Sequence, residues 1–176
     1  MVRKYKVQIR NKGLKDELYK WELLKKYNGR PDIESDDFSA EIKGIDFQNL
    51  IYPMARAVKD HIANDLSEEF RACFVKLFNE EEDLTTRVKN FMADTLTVYR
   101  KIGGQLNHHQ DERTIAAYLT YRFPDRYTFF KDTFYKKYCK MAGIEPKPKG
   151  EKYAHYMELV YEFRDGYVVI DNDLIS

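Results

Sequence analysis

Apolar residues along this chain recur mostly at steps of three and four, the spacing of helices with one buried face. The longest such stripe is Phe47, Leu50, Ile51, Met54, Ala55, Val58 and Ile62, with Pro53 inside it. Proline is tolerated in the first turn of a helix but not in its interior, so the helix either starts at Pro53 or kinks there. Upstream, Leu14, Leu18, Trp21 and Leu24 make a helical stripe that Asn28-Gly29 and Pro31 stop. Ser35 is placed to cap a short helix ending at Gly44, with Asp36 and Asp37 in its positive first turn.

Ser67, followed by Glu68 and Glu69, is expected to cap a helix that turns Phe70, Cys73, Phe74 and Leu77 inward. After an acidic turn at 80–83, Leu84, Val88, Phe91, Met92, Thr95 and Tyr99 face the core, and Gly103-Gly104 ends that helix. Asp111 is expected to cap a helix carrying Ile115, Tyr118, Leu119 and Arg122, which Pro124 terminates. Asp132 is the expected cap of the next helix. It carries Phe134, Tyr135, Tyr138, Cys139 and Ala142 on one side, Lys136, Lys137 and Lys140 on the other, and Gly143 at its end. Residues 144–150, with two prolines and two lysines, read as an extended connector. A last helix carries Tyr153, Tyr156, Met157, Val160 and Phe163.

Strand-like alternation occurs only at the ends. Tyr5, Val7 and Ile9 mark residues 1–12 as a strand or extended arm, and Tyr167 to Ile170 as a short strand; residues 171–176 read as the start of a linker. The pattern therefore predicts a mostly α-helical single domain over residues 1–176, with about seven helices and minor terminal strands.

A chain of 176 residues buries enough surface to need no disulfide or metal staple. Cys73 and Cys139 both sit at apolar helical positions and read as buried thiols in a reducing compartment. No apolar run approaches the ~20 residues of a membrane span, and the N-terminus lacks a signal-peptide core, so a cytoplasmic location is the expectation. The net charge of +1 hides segregation: residues 1–31 carry +7, 32–99 carry −8, 100–153 carry +6 and 154–176 carry −4. Such a chain can display one basic and one acidic face.

The segment Tyr118–Tyr138 changes the picture most. Nine of its 21 residues are aromatic, and Arg122, Arg126, Lys131, Lys136 and Lys137 lie among them. A core needs rings but no cations between them, whereas nucleic acid offers bases for rings to stack on and phosphates for cations to neutralise. Arg122, Arg126, Lys131, Lys136, Lys137 and Lys140 are the candidate phosphate contacts. Tyr127 and Phe129 (or Phe130) in the non-helical turn are the candidate stacking residues. The competing reading is a tyrosine-rich core with hydroxyls at its edge and lysines solvating it.

Two weaker patterns carry other chemistry. Pro31-Asp32 followed by Glu41-Ile42-Lys43 matches the loose PD…ExK spacing of metal-dependent nucleases, where Asp and Glu hold Mg²⁺ and Lys activates water. That chemistry needs Glu and Lys on one face of a strand, and the surroundings here read as a capped helix, on which positions i and i+2 diverge. His108-His109 with Asp111 has the donor types for a metal but no zinc spacing, and reads as surface decoration. No phosphate-binding GxxxxGK[ST], GxGxxG, GxSxG or CxxC run is present, so no catalytic residues, cofactor or metal are assigned.

Residues 111–160 resemble a segment in the N-terminal regions of bacterial McrB-like AAA+ proteins, the GTPase subunits of modification-dependent restriction systems. The similarity centres on Asp111-Glu112-Arg113-Thr114, Arg122-Phe123-Pro124-Asp125-Arg126-Tyr127, Phe134-Tyr135-Lys136-Lys137 and Gly150-Glu151-Lys152-Tyr153. The resemblance implies a non-catalytic domain that recognises DNA, including DNA with a modified base, and works beside an AAA+ motor domain or a restriction partner subunit. The alternatives are a protein-interaction or assembly module of the same kind of protein, and the metal-dependent nuclease built on Asp32, Glu41 and Lys43.

Overall fold

The computed structural model describes residues 17–168, and their helices form where the apolar steps place them. In order they are α1 (Leu18–Lys26), α2 (Phe38–Lys43), α3 (Pro53–Asp65), α4 (Ser67–Phe78), α5 (Leu84–Lys101), α6 (Glu112–Arg122), α7 (Asp132–Ala142) and α8 (Lys152–Phe163). A π-helical turn, Arg164–Val168, follows α8, so Tyr167 and Val168 are not in a strand, and the rest of the strand expected there lies outside the described residues. There is no strand among the described residues. The expected arm at 1–12 and the linker start at 171–176 lie outside them.

Pro53 occupies the first turn of α3, so the stripe begins in a turn and becomes helical there. Phe47, Leu50 and Ile51 are nonetheless buried ahead of it. Some caps differ from expectation. Asp37, not Ser35, caps α2 by accepting from the Ala40 amide at 2.8 Å. Ser67 and Asp132 are the first residues of their helices, not the caps. Asp111 caps α6 as expected, through the Arg113 amide at 3.1 Å, and Asp83, the last residue of the acidic turn, caps α5 through the Thr86 amide at 3.0 Å. Gly143 ends α7 in the left-handed conformation, φ +69°, that glycine adopts at low cost.

Helices α4 and α5 pair most extensively, and α2, α3, α6 and α8 pack onto them or onto each other. At the centre lies α6, with nine of its eleven residues buried on every side. Phe74 of α4 is the hub. Its ring lies 4.8 Å from Tyr118, 5.0 Å from Phe70, 5.1 Å from Phe91 and 5.6 Å from both Phe38 and Phe78, mostly edge to face. Tyr121 stacks on Phe47 at 5.2 Å. Two helices depart from their predicted orientation: Leu18 and Trp21 of α1 are exposed, with Leu23 and Tyr27 buried instead, and Phe134 and Ala142 of α7 are exposed while Tyr135 and Cys139 are buried.

Apart from the Nε atoms of Arg71 and Arg87, the buried polar side chains are satisfied in networks. The Tyr118 hydroxyl donates to Gln110 Oε1 at 2.7 Å, while Gln110 Nε2 donates to the Ala55 carbonyl at 2.9 Å. His108 accepts from the Gln110 amide at 3.3 Å, so it is part of the interior and not surface decoration. Burial holds its imidazole down to about 4 from 6.5. Below pH 6.5 the unfolded chain takes up a proton that the folded chain refuses. Stability is therefore complete above that pH, falls by about 2–3 kcal/mol as pH drops to 4, and then levels. Urea midpoints at pH 7 and pH 5 check this, and His108→Asn is expected to flatten the difference. A wild-type slope that survives this substitution assigns the effect elsewhere.

Candidate nucleic-acid interface

The aromatic-basic segment divides into a closed half and an open half. In the closed half, the Arg122 guanidinium is half-buried beneath α6 and donates to the Gly29 carbonyl at 2.6 Å, lying 5.6 Å from the Phe78 ring. Tyr127 donates its hydroxyl to Glu80 at 2.9 Å and accepts from the buried Arg87 at 2.8 Å. Burial, the largest influence on it, keeps that phenol protonated. Arg126 is exposed but pairs with the same Glu80, and its carbonyl accepts from the Tyr161 hydroxyl. Phe129 packs edge-on against Tyr121 at 6.0 Å, and Phe130 is buried against Tyr153 and Tyr156. These rings and guanidinium groups hold the turn to the body, and at the Phe123-Pro124 corner the rings of Phe123, Tyr127 and Phe129 are half-buried.

The open half is α7 and the residue before it. Lys131, Lys136, Lys137 and Lys140 are all exposed. Asp132, Lys136 and Lys140 lie in one i, i+4 row, with Thr133 and Lys137 in the next. Lys136 pairs with Asp132 at 2.8 Å. Lys131 lies 4.9 Å from the Phe134 ring. Among the described residues, Lys131, Lys137 and Lys140 have no carboxylate partner.

The first turn of α7 leads into a cavity of about 310 Å³ that sequence reading did not locate. It is bordered by the starts of four helices: Tyr52 ahead of α3, Asp111 to Arg113 of α6, Phe130 to Thr133 of α7, and Lys149 and Lys152 of α8. Each helix begins at the border of this cavity, so its positive dipole end lies close to it. Asp111 satisfies α6. Glu112, buried at the start of α6, reaches across to α8 and accepts from the Tyr153 amide at 3.0 Å. Burial raises the Glu112 carboxyl, and amides from Tyr153, Gly150 and Lys152 oppose that rise. Glu112→Ala is expected to cost about 2–3 kcal/mol, because it strands buried amides at the start of α8, with Glu112→Gln costing less. Denaturant midpoints of the two variants check this ordering.

Helices α3 and α7 have no side-chain cap. Arg113 lies over Tyr52, 4.2 Å from its ring, and donates to the Leu50 and Asn49 carbonyls at 2.7 and 2.6 Å. Lys152 donates to Asp132 at 2.8 Å. That leaves Lys131 and Lys149 as cations at the rim without a described partner. Arg113 and Lys152 fall inside sequence motifs noted above and Lys149 in the connector before α8, but nothing in their spacing shows that residues some 40 positions apart meet.

The other candidate chemistries are dispersed. Glu41 accepts from Arg30 at 2.7 Å and from the Asp32 amide at 2.8 Å, while Lys43 on the same short helix reaches Asn64 of α3 at 2.6 Å. Glu41 and Lys43 thus serve different neighbours. Among the described residues no group of three or more His, Cys, Asp or Glu is arranged to hold a metal ion. Cys73 and Cys139 are both buried and unbridged, and burial pushes the Cys73 thiol up to about 12. Among the described residues no helix is long and apolar enough to cross a membrane.

No protein-family model, curated protein or solved structure matches this chain. The site must therefore be argued from its own chemistry.

Proposed function

We propose that this domain binds DNA without catalysing a reaction on it, as a recognition domain of the McrB-like kind. The carrying observation is a lysine-rich face on α7 that runs into a cavity where four helix N-termini converge. Phosphodiester oxygens suit both parts. Lysine ammonium groups neutralise them along the row, and the dipoles of the helices that begin there favour a negative group at the cavity. Lys131, Lys136, Lys137 and Lys140 make the backbone contacts, joined by Lys149 at the rim. The exposed ring of Tyr52 is the aromatic face available beside them.

Backbone contacts of this kind position a duplex and read no sequence. Any preference for a modified base rests on the family resemblance, and a binding panel of duplexes differing only in cytosine or adenine modification tests it. Equal affinity across the panel limits the domain to backbone recognition. A preference of tenfold or more for one duplex assigns it a base-reading role.

A further inference from the structure

Helices α7 and α8 enclose an apolar groove of about 300 Å³ on the side of α7 away from the Lys136–Lys140 row, lined by Phe134, Tyr138, Tyr156, Leu159, Val160 and Phe163. Its edge is unusually bare: Phe134 is 66% and Met141 58% exposed. Large rings left open beside an apolar groove mark an interaction surface more often than a solvated one. The charges flanking the groove differ by helix. On α7 the exposed neighbour beside the groove is Lys137, and on α8 it is Glu162, next to the lining residue Phe163.

We propose that this groove is the interface of a two-fold symmetric homodimer. A two-fold axis pairs a patch with itself, so α7 of one protomer lies along α8 of the other. Phe134 of each protomer then enters the groove of its partner, and Lys137 of each faces the acidic flank of the opposite α8. The surface supplies both halves of its own complement, ring to groove and cation to carboxylate, which is the argument for a second copy as occupant. Lys136 and Lys140 stay outside the contact. The proposal does not rest on DNA binding, with which it shares Lys137.

Sedimentation velocity over a concentration series of the whole chain reads the outcome directly. A species of twice 21.0 kDa is expected to grow with concentration. Phe134→Glu is expected to weaken the dimer by about 100-fold or more while leaving the helical signal and thermal midpoint unchanged. Met141→Glu, also at an exposed position, serves as the second variant should the first unfold. Lys137→Glu is expected to weaken association, and adding Glu162→Lys to restore it, since the swap re-pairs the same two flanks. A protein that stays monomeric at every concentration overturns the proposal. So does a dimer indifferent to both Phe134→Glu and Met141→Glu, or a monomer whose groove captures only a different protein. DNA affinity measured on Phe134→Glu and Met141→Glu, which leave Lys137 in place, separates this outcome from the nucleic-acid reading.

Discussion

Replacing Lys131, Lys136, Lys137 and Lys140 together by glutamine is expected to weaken binding to a short DNA duplex by about 100-fold at near-physiological salt. The slope of log affinity against log salt is expected to flatten by about 3–4, since each lost phosphate contact returns about 0.9 of a counterion. All four side chains are exposed, so the fold has little to lose from the change. The informative contrast is Arg126→Ala. Arg126 is equally exposed, but its guanidinium is held by Glu80. Its removal is expected to change affinity by less than about twofold, in the range of an exposed ion pair. Equal losses from Arg126→Ala and from the lysine set would return the interface to the Phe123-Pro124 corner. Fluorescence anisotropy at two salt concentrations reads both quantities.

Phe74→Ala is expected to cost about 3–5 kcal/mol, the largest stability loss from any single truncation proposed here. The ring is fully buried and touches five other aromatic rings contributed by α2, α4, α5 and α6. Its removal leaves a void that rigid rings fill poorly. A domain of this size has total stability of about 5–15 kcal/mol, so the variant should be close to unfolding at physiological temperature. Phe74→Leu keeps much of the volume and is expected to cost less. Urea midpoints at an unchanged m-value give the comparison. Phe134→Ala provides the control. It removes a ring of the same size from the surface and is expected to move the midpoint hardly at all. A small loss at Phe74 would mean that the aromatic cluster is not the centre of the fold.

Periodicity carried much of this architecture. The inward faces of α4 and α5, the Asp111 cap and the Gly143 end are local consequences of side-chain spacing and backbone preference, and they stand where the sequence places them. The stripe on α1 failed because spacing states that a face is apolar, not what covers it. Leu18 and Trp21 face outward while Leu23 fills the core. Ser67 and Asp132 missed the cap position by one residue, and Ser35 lost it to Asp37 two residues on, a choice made by backbone geometry at each helix entry.

The candidate site was legible only in part, for a similar reason. Arg122 looks like a free cation in sequence, but its guanidinium is taken by a carbonyl 93 residues away. Tyr127 meets Arg87 and Glu80, each 40 or more residues distant. The α7 lysines needed no distant partner to be recognised as an outward row. The cavity exists only because four helices begin at one place, and that is a property of packing.

The central claim is that the α7 face and the adjoining cavity bind nucleic-acid phosphate. Its most direct test is titration of the whole protein with an unmodified duplex at 50 and 200 mM salt. With about four to five phosphate contacts the account predicts measurable binding at the lower salt and a loss of roughly 100- to 500-fold at the higher. No binding at the lower salt, or binding that salt leaves unchanged, would contradict it.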